Sequence, residues 1–313
     1  MTLAKGAKVA VEICMGVKKG EEVLIISDST RERIAEALFQ ASLDVEAEPI
    51  LAKIEPRTRH GEEPPKALAT MMMDADVIFA PTEYSMTHTQ ARRNATREGA
   101  RIATMPGITE GMMDSGAMLA DFHEILRRMR RVYRKLRGAR KVTIESELGT
   151  DFTLSVKGRD WITDDVGICH RKGQYTNLPA GEIFIAPREG TANGKLVIDG
   201  SFIGTVEEPA RVSVTDGYAT RIVGAKDAVQ ELNKGGKEGR NVAELGIGLN
   251  DKARIIGNVL EDEKALGTAH VAFGDNSTFG GKVRCGVHID GILKNPTLTV
   301  DDLVVLEDGE MKI

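Results

Sequence analysis

The sequence predicts an α/β plus α+β protein: an N-terminal α/β domain on a parallel sheet over residues 1–137, then a β-rich catalytic metal-binding domain over residues 138–313. Three observations lead there. Short apolar runs alternate with amphipathic helical runs through the first part, the pattern of parallel strands with helices packed on both faces. After Lys141 the texture changes to alternating segments punctuated by glycine, and helices become scarce, which marks strands joined by turns. The 313 residues are also enough for two cores of ordinary size.

Ala7–Gly16 reads as a helix, and Glu22–Ser27 as a buried strand, an apolar run bounded by polar residues. Asp28, Ser29 and Thr30 offer N-caps to a helix in which Ile34, Leu38 and Ala41 recur at helical spacing up to Leu43. Strands at Pro49–Ala52, Val77–Ala80 and Arg101–Thr104 alternate with helices at Pro65–Asp74 and Thr89–Glu98. The first strand-to-helix turn, Ser27 to Arg31, lacks the glycines that let a pyrophosphate reach the backbone, which argues against a dinucleotide site. The tract Tyr84 to Thr89 follows a strand and precedes a helix, where loops often meet ligand. His88 is therefore a candidate catalytic residue; the alternative is that Thr87 or Thr89 caps the helix and His88 is merely exposed. A long helix is expected from Thr109 or Met112 to Leu136. Its basic end, Arg127 to Arg137, reads better as a solvated helix C-terminus than as an RNA-binding surface. Gly138-Ala139 closes the domain, and strands follow at Val142–Ser146, Phe152–Val156 and Lys195–Asp199.

The net charge of −5 argues against nucleic acid as the main partner. No apolar run approaches the length of a membrane span, and Lys5, Lys8, Glu12 and Lys18 interrupt Met1–Gly20, unlike a signal-peptide core. Cys14, Cys169 and Cys285, odd in number and widely spaced, fit a reducing compartment. The expectation is a cytoplasmic protein with a peptide or small-molecule substrate.

The chemistry concentrates in the second domain. In an extended segment His288 and Asp290 share one face while Ile289 points to the other. The same alternation places Arg284 and Gly286 with His288, and turns Cys285 and Val287 away. His270 supplies a second imidazole nearby. Glu182 follows Pro-Ala-Gly at the entry to an apolar strand, where a carboxylate needs a partner or a metal to offset desolvation. Glu244 alternates with Gly246 and Gly248, which leave space beside it, while Leu245, Ile247 and Leu249 form the opposite face. Glu182, Glu244, His270, His288 and Asp290 together suit two divalent ions (Zn, Co, Mn or Mg) rather than a closed structural zinc site. Two such ions could share a hydroxide and polarise a carbonyl, as amide hydrolysis requires. Glu263 is the nearest candidate for a catalytic base, although Glu261 and Asp262 beside it also read as an acidic surface loop.

Asn177–Pro187, Asn241–Asn250, Ala269–Asn276 and Gly286–Leu293 resemble the metal-binding blocks of the M29 metallopeptidases, the aminopeptidase T and aminopeptidase S family, and the Ser85–Thr89 tract is similar as well. The resemblance implies a homodimeric aminopeptidase that removes N-terminal residues through a dinuclear site, with those five residues as ligands. The chain departs from that family in having no tyrosine in Val271–Gly281. A ring-cleaving dihydroxypyridine dioxygenase group looks similar in its C-terminal blocks. In that alternative His270, His288 and Asp290 form a 2-His-1-carboxylate set for one Fe(II). Glu182 and Glu244, which one iron does not need, favour the hydrolase. A non-catalytic binding protein on the same fold is the third reading.

Overall fold

The computed structural model describes residues 3–313. Its architecture is mixed α/β, with one parallel sheet and two antiparallel ones. The chain divides into two compact units, Met1–Leu126 with Asp164–Ala180, and Arg127–Thr163 with Gly181–Ile313.

In the first unit β1 (Glu22–Asp28), β2 (Glu48–Ile54), β3 (Val77–Ala80) and β4 (Arg101–Thr104) lie parallel in the order β2-β1-β3-β4. After β5 (Lys141–Glu145) and β6 (Asp151–Ser155), which belong to the second unit, β7 (Tyr175–Asn177) pairs parallel with β4 as the fifth strand. That pairing is why residues 164–180 group with the first unit, although the sequence suggested a single crossing near Gly138. The helices are α1 (Leu3–Lys8), α2 (Glu32–Asp44), α3 (Lys66–Asp74) and α4 (Gln90–Glu98). Leu24, Ile26, Ile78 and Ile102 bury one sheet face against Leu68 and Met72 of α3 and Ala91 and Ala95 of α4. Val23, Ile25, Val77 and Phe79, one position out of phase, are equally buried and face the opposite way.

Two helix expectations change. The helix expected over Ala7–Gly16 is α1 followed by a π-helical stretch, Val9–Cys14. The long helix expected to end at Leu136 is broken into α5 (Glu110–Asp114), a 3-10 turn at Ala117–Leu119 and α6 (Phe122–Leu136). The break has a local cause: Asp121 Oδ1 accepts from the backbone N–H groups of His123 and Glu124, restarting the helix with a new N-terminal cap.

In the second unit β8 (Glu182–Ile185), β9 (Asn193–Ile198), β10 (Ala210–Thr215) and β11 (Tyr218–Val223) precede α7 (Lys226–Lys234), β12 (Val242–Gly248) and α8 (Val259–Asp262). β13 (Ala269–Gly274), β14 (His288–Leu293), β15 (Thr297–Val300), β16 (Leu303–Glu307) and β17 (Glu310–Met311) complete it. One sheet runs β11-β10-β9-β6-β5-β15-β16-β17 and the other β14-β13-β12-β8. Ile198 of β9 fills the space beside Gly291 of β14, so the two sheets meet there. No helix among the described residues is long and apolar enough to cross a membrane.

Candidate metal centre

The four-stranded sheet builds the site by register alone. Gly248 stands opposite Glu182, Gly246 opposite both Phe184 and His270, and Ala272 opposite both Glu244 and Asp290, while Gly274 stands opposite His288. With side chains alternating at period two, Glu182, Glu244, His270, His288 and Asp290 all project from one face. The other face carries Ile183, Ile185, Leu245, Ile247, Val271 and Phe273, all buried. A one-residue slip would send these apolar residues to the polar face, and this holds the register.

Five side chains on one face still need room. A Cβ at Gly246 would lie 1.9 Å from Nε2 of His270, so the imidazole lies in the space a side chain would fill. A Cβ at Gly248 would meet the carbonyl oxygen of Ala265 at 1.9 Å, because the chain from Lys264 to Ala265 crosses against the strand there. Both glycines are required by close approach.

His270 Nε2 is 3.2 Å from Glu182 Oε2 and 3.4 Å from Glu244 Oε1. His288 Nε2 is 3.5 Å from Glu244 Oε2 and 3.6 Å from Asp290 Oδ1. Ligand atoms of Glu182, Glu244 and His270, of Glu244, His288 and Asp290, and of Glu263, His270 and Asp290 lie within 4.8 Å of one another in each set. Glu182 Oε2 and Asp290 Oδ1 are buried with no hydrogen-bond partner. Orphaned acceptors beside two imidazoles fit a cation, which satisfies each of them without a proton donor. His288 is oriented from behind: its Nδ1 is 2.8 Å from the carbonyl of Asp275, to which it donates, leaving Nε2 directed at the carboxylates.

The charges are mutually compensated. Burial disfavours the imidazolium of His270, yet Glu182 and Glu244 outweigh burial and raise it well above the ordinary histidine range. His288 behaves alike; desolvation opposes its charge, but Asp290 and Glu244 push it up to about 10. Desolvation would raise Asp290, and the two imidazoles and Lys264 bring it below the usual carboxylate range. Burial prevails at Glu244 and at Glu263, both of which are raised. In the metal-free protein the surrounding carboxylates therefore favour the protonated form of both imidazoles. An incoming ion must displace those protons, so its affinity should rise from neutral pH toward pH 10, with proton release on binding. Calorimetric titration of the metal-free protein in buffers of different ionisation enthalpy measures this release; a pH-independent Kd without released protons would contradict the ligand set.

The structure brings together Glu182, Glu244, Glu263, His270, His288 and Asp290, and does not include His88 in that group. His88 lies in the first unit, exposed in the turn before α4, where Thr89 Oγ1 caps the helix by accepting from Arg92 N. Glu261 and Asp262 are fully buried in α8 and do not form an acidic surface loop. The alternation assumed for Arg284 to Val287 also fails, since the strand starts at His288. The preceding loop is held by Asp275 Oδ2, which accepts from Cys285 N at 2.8 Å. Cys285 does stay out of the cluster, its Sγ turned to the carbonyl of Val287.

Sequence reasoning missed three residues here. Lys264, fully buried, places Nζ 2.6 Å from Glu182 Oε1 and 2.5 Å from Glu263 Oε1. Phe279 meets His288 edge to face at 5.7 Å and Phe184 at 5.6 Å. Phe184 was open to the period-two argument, since it stands two residues after Glu182 on the same strand. Nothing in the Glu-Asp-Glu-Lys run marks Lys264 as buried.

The geometry does not choose among metal chemistries, but kinship narrows them. A family model described as NicX, 2,5-dihydroxypyridine 5,6-dioxygenase, matches residues 3–313. This chain belongs to the NicX family. A 2,5-dihydroxypyridine 5,6-dioxygenase of Pseudomonas putida KT2440 is 26% identical over 196 residues, 56% of this chain and 55% of that protein, so the match spans about half the length of the curated relative. The solved structure of the 2,5-dihydroxypyridine dioxygenase from Pseudomonas putida KT2440 superposes with a TM-score of 0.80 at 20% identity, over 99% of this chain and 96% of that one. AmpT from Thermus thermophilus, an M29 aminopeptidase, gives a TM-score of 0.71 at 17% identity, over 100% of this chain and 99% of that one. Membership of the NicX family overturns the aminopeptidase reading, and the hydrolase and protease assignments with it. AmpT shares the fold, which accounts for the resemblance of the blocks. The dinuclear Zn, Co, Mn or Mg centre, read from the number of donors and from the peptidase resemblance, finds no support in that family. What stands is a carboxylate–histidine cluster able to hold a metal.

Proposed function

We propose that this chain is an Fe(II)-dependent dioxygenase that opens the ring of 2,5-dihydroxypyridine. The observation that carries this reading is the placement of His270, His288 and Asp290 on one sheet face, in a chain matched over residues 3–313 by the NicX family. Two imidazoles and one carboxylate are the donor set of non-haem Fe(II) oxygenases. His270, His288 and Asp290 would hold the Fe(II), which would supply the chemistry that activates dioxygen. A 5,6-dioxygenase breaks the bond between ring carbons 5 and 6 and keeps both oxygen atoms in the product, so no external reductant is consumed.

The chain's own residues orient the ring and hold protons. The Asp275 carbonyl fixes the His288 tautomer. Glu244, raised by burial and within reach of both imidazoles, accepts the proton of the ring hydroxyl as substrate enters. Phe279, edge to face with His288, and Phe184, edge to face with Phe279, offer apolar walls to a flat heteroaromatic ring. The loop that carries Phe279 is fastened at both ends: Asn276 Oδ1 accepts from Val283 N, and Glu189 Oε1 accepts from Lys282 N.

Protein loaded anaerobically with Fe(II) should consume one dioxygen per dihydroxypyridine; no oxygen uptake by fully loaded protein would overturn the assignment. Phe279→Ala should raise KM by about 2- to 10-fold, from roughly 0.5–1.5 kcal/mol of aromatic contact. Its iron content should match that of the wild type, and an unchanged KM would remove Phe279 from the substrate wall.

A further inference from the structure

The buried lysine is the feature that the donor set alone does not explain. Glu182, Glu244, Glu263 and Asp290 surround two imidazoles, which is enough carboxylate for two divalent ions. Yet Lys264 Nζ lies between Glu182 Oε1 and Glu263 Oε1 at 2.6 and 2.5 Å, and its side chain is fully buried. The backbone holds it there. Asn250 N donates to the Lys264 carbonyl at 2.8 Å, Gly248 N donates to the Thr268 carbonyl at 3.1 Å, and side-chain-free Gly248 lets the segment cross at contact distance. Glu182 starts the strand directly opposite Gly248, so register delivers the carboxylate to the ammonium.

We propose that Lys264 is a positioning residue that makes the centre mononuclear, its ammonium taking the place of a second divalent ion between Glu182 and Glu263. The inference rests on the Fe(II) reading for the ion held by His270, His288 and Asp290. An ion bound to Glu182 Oε1 would have to share that oxygen with a cation already in hydrogen-bond contact, and cations so close repel strongly in a buried site. One carboxylate oxygen faces the lysine and the other, Oε2, faces His270.

The test uses Mn(II) alone as probe, added to the full-length metal-free protein and followed by elemental analysis and electron paramagnetic resonance. Wild type should take up one Mn(II) per chain and give an uncoupled spectrum. Lys264→Met, which keeps the apolar stem and removes the charge, should take up two and show a spin-coupled pair. Lys264→Arg keeps a cation and should remain at one; it also serves as the folded control if Lys264→Met is unstable, with Glu263→Gln/Lys264→Gln as a second uncharged variant. Two coupled ions in wild type, or a single ion in every folded uncharged variant, would overturn the proposal. Neither result touches the oxygen-uptake assay, so failure here is distinguishable from failure of the dioxygenase reading.

Discussion

An Asp290→Ala protein is expected to fold, to lose bound iron at concentrations that load the wild type, and to consume no oxygen with dihydroxypyridine. Asp290 is the sole carboxylate of the proposed 2-His-1-carboxylate set, and its buried Oδ1, 3.6 Å from His288 Nε2, makes no hydrogen bond. Removing a group that supports a ligand already costs roughly 10–100-fold in metal affinity, so loss of the ligand itself should exceed that. The metal-free fold should survive. The lost pairing with His288 costs on the order of 1–3 kcal/mol, against a typical total of about 5–15 kcal/mol. The imidazole can also shed its proton, since Asp290 is the main group holding it up. Asp290→Asn separates charge from shape: it keeps the size of the side chain and should still fail to hold iron. Elemental analysis after anaerobic loading, circular dichroism and an oxygen electrode measure the three quantities. Wild-type iron content together with full activity in either variant would remove Asp290 from the site.

Legibility in the sequence followed the range of the interactions concerned. Val77–Ala80 and Arg101–Thr104 are strands with the boundaries expected from their apolar runs, because a buried parallel strand is a local pattern. The short strand Tyr175–Asn177 was invisible as a member of the parallel sheet, because only pairing with β4, some seventy residues earlier, defines it. The break before α6 depends on one Asp121 carboxylate capping two N–H groups, a signal easily overridden by helical periodicity on both sides. At the site, period-two alternation put His288 with Asp290 and Glu244 with Gly246 and Gly248, as the sheet has them, but the common face of all five residues follows from strand pairing. Alternation says nothing about what lies across the sheet. Lys264 reaches Glu182 by a crossing outside the strands, so the sequence argument counted its carboxylates as free for a second ion. The mistaken hydrolase followed from that count and from a fold shared with AmpT. At His88 the second of the two sequence readings matches the local structure: Thr89 is the cap, and His88 is an exposed residue of the turn before it.

Gly246→Ala is expected to abolish metal binding although no ligand is touched. Gly246 has an ordinary extended backbone within β12 and is absent from the glycines with positive φ. By backbone alone, alanine there should stabilise the protein by about 0.4–1 kcal/mol, through the entropy of the unfolded chain. Space reverses the sign. The new Cβ would lie 1.9 Å from Nε2 and 2.1 Å from Cε1 of His270, and that ring is fully buried. It can leave only by abandoning the rotamer that directs Nε2 at Glu182 and Glu244. Overpacking of this kind costs about 1–3 kcal/mol, which exceeds the backbone gain, so the variant should melt below the wild type and bind no iron. The double variant Gly246→Ala/His270→Ala isolates the cause. With the imidazole gone the methyl group has room, and alanine at 246 should then stabilise relative to His270→Ala alone. Equal destabilisation by Gly246→Ala with and without His270 would mean that the glycine serves the strand and not the histidine.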